Sequence, residues 1–290
     1  MGHDQHHSTK NIKAAFFLNL LFSIIEIIGG VLTNSVAIVS DAIHDLGDSI
    51  SLGIAWYFQK VAGKEKTASY SFGFKRFSVL GAIINSVVLT AGSVFILIEA
   101  SKRLIDPVMP DAAGMIWLSI LGLLVNGIAA YRLSHGHSIN EKAVYLHLLE
   151  DVLGWTATLI VSIVLMFWDL PILDPILSIS VSAFILWNVV KNVRKSIDII
   201  LQGTPDDIDI EELHQSIKKI PEIKDVHDCH LWTMDGDYHV LSFHAVIADN
   251  SSFENLSVLK SKTREVIHSK FKIDHITIEF EAESEECQPC

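Results

Sequence analysis

The chain has 290 residues, half of them hydrophobic, a mean hydropathy of +0.38 and a formal net charge of −12. Charged residues make up 19%, below the roughly 25% of soluble proteins, which excludes an ordinary soluble protein. The acidic balance and the lack of a basic stretch exclude a nucleic-acid partner.

The charge is unevenly distributed along the chain. Residues up to 204 contain 14 Lys and Arg against 15 Asp and Glu, whereas residues from Pro205 onward contain 8 against 19. This contrast is typical of a membrane domain followed by an acidic soluble domain. We therefore predict a polar N-terminal tail over residues 1–13, a membrane domain over 14–204 and a soluble domain over 205–290.

Six apolar segments of the membrane domain are long enough to be transmembrane helices. A membrane-spanning helix needs about 20 mostly apolar residues, and the segments lie at about residues 14–33, 36–58, 78–100, 114–133, 144–168 and 172–192. Basic residues are concentrated in the connection 59–76 and around the end of the last span, at 191–195. Because basic residues favour the cytoplasmic side, we predict a multi-pass membrane protein with both termini in the cytoplasm.

The acidic domain has the pattern of two helices and three strands. Helical periodicity occurs in "DIDIEELHQSIKKI" and "FENLSVLKSKTREVIHSK", and strand patterns occur in "VHDCHLWTM", "YHVLSFHAVI" and "HITIEFE". Asp235-Gly236-Asp237 is a hairpin signal between the first two strands. The sequence thus predicts a polytopic α-helical membrane protein with six transmembrane helices and a C-terminal αββαβ domain.

Two predicted spans carry a histidine and an aspartate four residues apart. They are His44 and Asp48 in the second span, and His147 and Asp151 in the fifth. Residues four apart lie on one helix face, so each pair offers an imidazole and a carboxylate in one direction. One such pair is compatible with a plain helix contact, but two matching pairs in separate spans indicate an ion pathway. Together they form an N₂O₂ set that suits tetrahedral Zn²⁺, and Co²⁺ and Cd²⁺ accept the same ligands.

The soluble domain carries a second group of candidate metal ligands. Because side chains alternate along strands, we expect four ligands to gather on the open face of the sheet: His230, His244, His275 and Glu281. Cys287 and Cys290 form a terminal Cys-x-x-Cys pair that is typical of metal binding in a reducing compartment. Singly, each histidine is typical of an ordinary surface. His227, His239 and Cys229 lie close enough in sequence to be alternative ligands.

Several of these segments resemble one family of membrane proteins. "TNSVAIVSDAIHDLGDSISLGIAW" resembles the second span of the cation diffusion facilitators, especially the bacterial cobalt–zinc–cadmium exporters, and "HLLEDVLGW" resembles their fifth span. "YSFGFKRFSVLGAIIN" and "LDPILSISVSAFIL" resemble their third and sixth spans. "DCHLWTMDGDYHVLSFHAVI" and "HITIEFE" resemble their metallochaperone-like cytoplasmic domain.

This resemblance implies a homodimeric, proton-coupled exporter of zinc, with cobalt or cadmium as further substrates, in the bacterial inner membrane. It assigns the transported ion to His44, Asp48, His147 and Asp151, with Asp41 as an outer or pathway residue. It also implies that the ligands of the soluble domain form a cytoplasmic regulatory zinc site. Zinc binding needs neutral imidazoles and ionised carboxylates, so protons compete with the metal for the same atoms and serve as the counter-substrate.

Two other functions are compatible with these ligands. A metal-dependent membrane enzyme would need an activating carboxylate, as in His-Glu-x-x-His, and the sequence has no such motif. Asp41 or Glu150 would then have to act as the base. A membrane-bound metal sensor without transport would need only the ligands of the soluble domain. We expect a transporter rather than an enzyme, with membrane lipid and divalent metal ions as its partners.

Overall fold

The computed structural model of the protein describes residues 3–62, 66–133, 139–248 and 253–284. Within these ranges only the backbone is described for residues 3–16, 18, 52, 55, 56, 58–60, 62, 132, 133, 139–144, 146, 147, 253 and 254. The chain divides into two compact units, residues 1–64 with 80–193, and residues 65–79 with 194–290. The connection 65–79 and the stretch 194–204, predicted to belong to the membrane domain, therefore group with the acidic domain.

Six long helices precede the acidic domain in the described part of the chain. They are α1 (His3–Leu32), α2 (Val36–Ala62), α3 (Phe77–Ile105), α4 (Ala112–Leu133), α5 (Ile139–Phe167) and α6 (Leu173–Ile200). Segments of α3, α4, α5 and α6 are long and apolar enough to cross a membrane, and α1 contributes a shorter apolar segment, Asn19–Leu32. Four spanning helices are therefore supported by length and composition, and the full set of six stays a prediction.

The outer surface of these helices carries large apolar side chains. Phe95 is 63% exposed, Trp117 73% and Trp187 64%. A soluble protein rarely exposes apolar surface on this scale, whereas lipid tails match it. The burial pattern thus supports the membrane location of this unit.

A buried aspartate of α6 holds the start of α2. The Asp174 side chain accepts hydrogen bonds from the Ser35 hydroxyl at 2.5 Å and from the backbone N–H of Val36 at 2.8 Å. The first N–H groups of a helix have no partner inside the helix, so the carboxylate supplies the missing acceptor. Arg103 of α3 donates to the backbone carbonyl of Asn34 at 2.6 Å in the same turn. These contacts fix the N-terminal end of α2, the helix that carries His44 and Asp48.

The second unit has the predicted α-β-β-α-β order. Its elements are α7 (Ile210–Lys218), β1 (Ile223–Thr233), β2 (His239–Ile247), α8 (Phe253–Phe271) and β3 (His275–Ala282). The strand order is β1-β2-β3, with β1 antiparallel and β3 parallel to β2. A hairpin joins β1 to β2, and α8 provides the crossover that a parallel pair requires.

One face of the sheet is buried against the helices of this unit. Leu241, Phe243 and Ala245 of β2 are fully buried, together with Leu213 of α7 and Ile267 of α8. The predicted alternation in β2 is confirmed, since every second residue of the strand enters this core. The opposite face of β2 carries Ser242 and His244, with Val240 and Val246 at its ends.

Candidate metal sites

The first candidate site lies on α2 at the predicted histidine–aspartate pair. His44 Nε2 lies 3.6 Å from Asp48 Oδ2, and each side chain is 23% exposed. The contact follows from helix geometry, because residues four apart stack one turn above each other. The sequence therefore presents an imidazole and a carboxylate together on the face of α2.

This face of α2 lines a cavity of about 290 Å³ together with residues of α5 and α6. Asp41 and His44 of α2 and Asp151 of α5 are among its lining residues. A Cβ added to Gly154 of α5 would lie 3.7 Å from Asp41 Oδ1, so the backbone of α5 passes close to this carboxylate. His147 lies on α5, but its side chain is outside the described residues. The structure thus places His44 and Asp151 around one cavity, with Asp48 in contact with His44.

The position of α5 is set by close packing against α4. Trp155 of α5 is 1% exposed, and a Cβ added to Gly122 of α4 would lie 2.3 Å from its ring. Only a residue without a side chain lets α4 approach the indole this closely. Trp155 follows Asp151 by one helical turn, so this contact anchors the segment that carries the carboxylate.

A buried carboxylate of α1 also belongs to this region, and the sequence analysis above does not include it. Glu26 is 1% exposed and interacts with Asp45 and Asp41 of α2 and with Asp151 of α5. The available signal was a single acidic residue inside the apolar run "SIIEIIGG", since ionisable residues in a membrane segment are rare and functional.

The second candidate site lies on the open face of the sheet. His227, His244 and Glu281 each offer one ligand atom, and these atoms all lie within 4.8 Å of one another. His227 Nε2 is 3.0 Å from Glu281 Oε2, and His244 Nδ1 is 2.6 Å from Glu281 Oε1. Two imidazole nitrogens and one carboxylate oxygen match a three-ligand zinc site with a fourth position left for water or another ligand.

A β-bulge explains why His227 joins this group. His227 pairs with His244 and His230 pairs with Ser242, so β1 uses three steps where β2 uses two. Asp228 lies in the bulge with φ of 47°, a left-handed conformation that aspartate tolerates better than most residues. The extra residue reverses the alternation, so that His227 and His230 both reach the open face.

The other predicted ligands lie in different places. His230 contacts Asp228 at 2.9 Å, and Asp228 in turn lies 3.4 Å from His244 Nε2, so among the described residues this carboxylate links His230 to the cluster. His275 packs edge-on against Phe72, with ring centroids 5.5 Å apart. It starts β3, about 20 Å from Glu281 at roughly 3.3 Å per residue. Cys287 and Cys290 lie outside the described residues.

The two remaining alternatives, His239 and Cys229, do not join the cluster. His239 is 5% exposed and lies 3.6 Å from Asp207. Burial, with the neighbouring charge of Asp228, raises the pKa of Cys229 from 9.0 to about 11. A thiol binds metal as the thiolate, so burial makes Cys229 a weaker ligand than an ordinary thiol.

Comparison with known proteins covers nearly the whole chain. Residues 12–201 match the family model of the cation efflux transmembrane domain, and residues 205–283 match that of the cation efflux protein cytoplasmic domain. The "Cadmium, cobalt and zinc/H(+)-K(+) antiporter" of Bacillus subtilis is 34% identical over 100% of this chain and 96% of its own length. The "Zinc transporter ZitB" of Pectobacterium atrosepticum is 32% identical over 97% of this chain and 89% of its own length. A solved metal-bound C-terminal domain of the CzcD transporter from Cupriavidus metallidurans is 31% identical over 26% of this chain and 99% of its own, with a TM-score of 0.23.

Proposed function

The chain belongs to the cation diffusion facilitator family, and on that premise we propose that it is a proton-coupled antiporter that exports Zn²⁺ from the cytoplasm by alternating access. The family and its relatives are membrane transporters of metal cations and not enzymes, which removes the metal-dependent enzyme from the candidate functions. Cobalt and cadmium are further substrates in this proposal, because nitrogen and oxygen ligands accept all three ions.

The observation that carries the proposal is the arrangement around the cavity of the first unit. His44 and Asp48 stack on α2, and Asp151 of α5 lines the same cavity as His44. With His147, these residues complete the proposed transport site. A divalent ion bound there offsets the charge of the two carboxylates, which supports their place inside a membrane domain.

Proton coupling follows from the chemistry of the ligands. When the site faces the cytoplasm, Zn²⁺ binds neutral imidazoles and ionised carboxylates and displaces protons from them. When the site faces outward, an inward proton gradient reprotonates the ligands and releases the metal. The printed name of the Bacillus relative, an antiporter of metal cations against H⁺ and K⁺, supports this exchange.

The cytoplasmic cluster has a regulatory role in the proposal. His227, His244 and Glu281 form its described part, with His230 next to it and the thiols of Cys287 and Cys290 as further ligands from the tail. Zinc binding there would draw together the soluble domains of a homodimer when cytoplasmic zinc is high. We place six spans in the bacterial inner membrane, with both termini in the cytoplasm.

Zinc flux into proteoliposomes tests the proposal. The purified protein is reconstituted with a zinc-sensitive dye inside the vesicles, and flux is measured with and without an opposing proton gradient. We expect the gradient to accelerate zinc movement. Flux that ignores the gradient would rule out proton coupling, and no flux at all would leave only the metal sensor.

A further inference from the structure

The turn between α1 and α2 is held by side chains from two other helices. Asp174 at the start of α6 accepts hydrogen bonds from the Ser35 hydroxyl at 2.5 Å and from the backbone N–H of Val36 at 2.8 Å. Arg103 in the last turn of α3 donates to the backbone carbonyl of Asn34 at 2.6 Å and to its side-chain Oδ1 at 2.7 Å. We call these four contacts the α1–α2 clasp, because together they fasten one turn to α3 and to α6.

The clasp holds α1 and α2 as one hairpin. A Cβ added to Gly30 of α1 would lie 2.7 Å from Cγ2 of Val39 and 3.0 Å from its backbone nitrogen, so the two helices approach closely next to the turn. The backbone N–H of Ser35 donates to the Gly30 carbonyl at 3.0 Å. The α3 and α6 side chains therefore hold the hairpin as a unit, and with it the helix that carries His44 and Asp48.

A second contact between α2 and α6 lies between the clasp and the proposed transport site. The hydroxyls of Ser40 and Ser182 are 3.2 Å apart, and both side chains are buried. His44 follows Ser40 by four residues, so it lies about one turn further along the same face of α2. The two helices are thus closed against each other at the turn and again one helical turn before the proposed ligands.

We propose that the α1–α2 clasp is the outer gate of the transporter, closed in this structure and opened when α2 moves away from α3 and α6. The inference rests on the proposed function, in which both termini are cytoplasmic and the α1–α2 turn therefore lies on the outer side. Alternating access requires a contact that closes one side of the site and breaks when that side opens. A hydrogen bond is lost once its atoms separate by about 1 Å, so the clasp has distinct closed and open states.

The two halves of the clasp differ in their access to water. Asn34 is exposed, so water can replace the hydrogen bonds of Arg103 when the helices separate. Asp174 is 1% exposed, and its carboxylate would remain without partners unless opening admits water between α2 and α6. Opening therefore requires hydration of the outer end of α2, as does an exit route for a hydrated cation.

Cysteine labelling of the full-length protein in oriented proteoliposomes tests the gate. Ser40→Cys introduces a buried thiol behind the clasp, in a background of Cys287→Ser and Cys290→Ser, and a membrane-impermeant maleimide is added to the outer face. We expect slow labelling with the clasp intact. Arg103→Gln should accelerate labelling about tenfold, the population shift that follows from loss of a charged hydrogen-bond donor. Lys102→Gln, in the same turn of α3 with a side chain that is 70% exposed, should leave the rate unchanged.

A second pair of variants tests the α6 half of the clasp. Asp174→Asn keeps the size of the side chain and removes the charge that the Ser35 hydroxyl and the N–H of Val36 contact, so it should also accelerate labelling from the outer face. Asp169→Asn, at an exposed position before α6, should not. Mass spectrometry of the labelled peptide distinguishes the introduced thiol from Cys229.

Three results would overturn the gate. The first is slow labelling in both Arg103→Gln and Asp174→Asn. The second is labelling that rises only from the cytoplasmic face, and the third is labelling that rises equally from both faces in both variants, which indicates lost packing. Zinc flux that ignores a proton gradient would instead refute the antiport function, and the labelling rates distinguish the two failures because they are measured without zinc.

Discussion

His227 and His244 lie opposite each other in the β1–β2 ladder, and both reach the carboxylate of Glu281 in β3. Three separate strands thus contribute one ligand each to a single point on the open face of the sheet. The arrangement depends on the β-bulge at Asp228, since without the extra residue His227 would point into the core. The bulge is therefore needed to bring the three ligands together.

The first prediction separates His227 from His230. His227→Ala removes one of the three ligand atoms, so we expect loss of the cytoplasmic zinc ion. His230→Ala should retain it, because the described ion pair of His230 is with Asp228 and not with the three ligands. Isothermal titration of the full-length protein counts the bound ions. The tail thiols are removed in every sample by Cys287→Ser and Cys290→Ser. Equal loss in both variants would show that His230 is itself a ligand.

The second prediction concerns the orientation of His244. Asp228 Oδ2 lies 3.4 Å from His244 Nε2, while Nδ1 of the same ring faces Glu281. A carboxylate that holds the outer nitrogen fixes the tautomer and raises the basicity of the ligating one. Asp228→Asn should weaken zinc binding at the cluster roughly 10–100-fold. Asparagine also tolerates positive φ, so the bulge should persist and circular dichroism should be unchanged.

The third prediction concerns the transport site. His44→Ala and Asp151→Ala each remove a proposed ligand from the cavity between α2, α5 and α6, and we expect each to abolish zinc flux in proteoliposomes. Glu99→Gln lies on α3 away from this cavity and serves as the control. His44→Ala and Asp151→Ala should both elute at the wild-type position in gel filtration. Wild-type flux in either one would remove that residue from the transport site.

Much of the fold follows from the sequence because its periodicities are strong. The alternation in β2 correctly predicts that Leu241, Phe243 and Ala245 are buried, and the order α7-β1-β2-α8-β3 follows from the same kind of pattern. The His44–Asp48 contact follows from helix geometry alone. These features depend on neighbours in sequence, where the local rules are reliable.

Two features of the sites depend on tertiary structure and were not predicted. Strict alternation assumes one residue per step along both strands, so it does not predict the bulge at Asp228. For this reason His230 was preferred to His227 in the prediction from sequence. The apolar segment Asn19–Leu32 has no second ionisable residue that could form a spaced pair with Glu26, as Asp48 does with His44. Its contact with Asp45 arises from the packing of α1 on α2, which periodicity does not specify.

The fourth prediction concerns the stability of the first unit. Asp174→Ala removes the acceptor for the Ser35 hydroxyl and for the backbone N–H of Val36, both of which are buried. A buried donor without an acceptor costs about 1–3 kcal/mol, so the thermal unfolding midpoint in detergent should fall. Asp169→Ala, at an exposed position in the preceding turn, should leave it unchanged. An unchanged midpoint for Asp174→Ala would mean that the cap of α2 contributes little.

The fifth prediction concerns the reactivity of Cys229. Burial raises its pKa from 9.0 to about 11, and the thiolate is the reactive form. At pH 9 a thiol with a pKa of 9.0 is half ionised, whereas about one in a hundred thiols with a pKa of about 11 is ionised. In a Cys287→Ser, Cys290→Ser background, alkylation by iodoacetamide should therefore be slow at pH 9 and should accelerate as the pH approaches 11. Denaturant should restore fast alkylation at pH 9, because unfolding exposes the thiol. Fast alkylation of the folded protein at pH 9 would mean that Cys229 is ionised and would return it to the candidate zinc ligands.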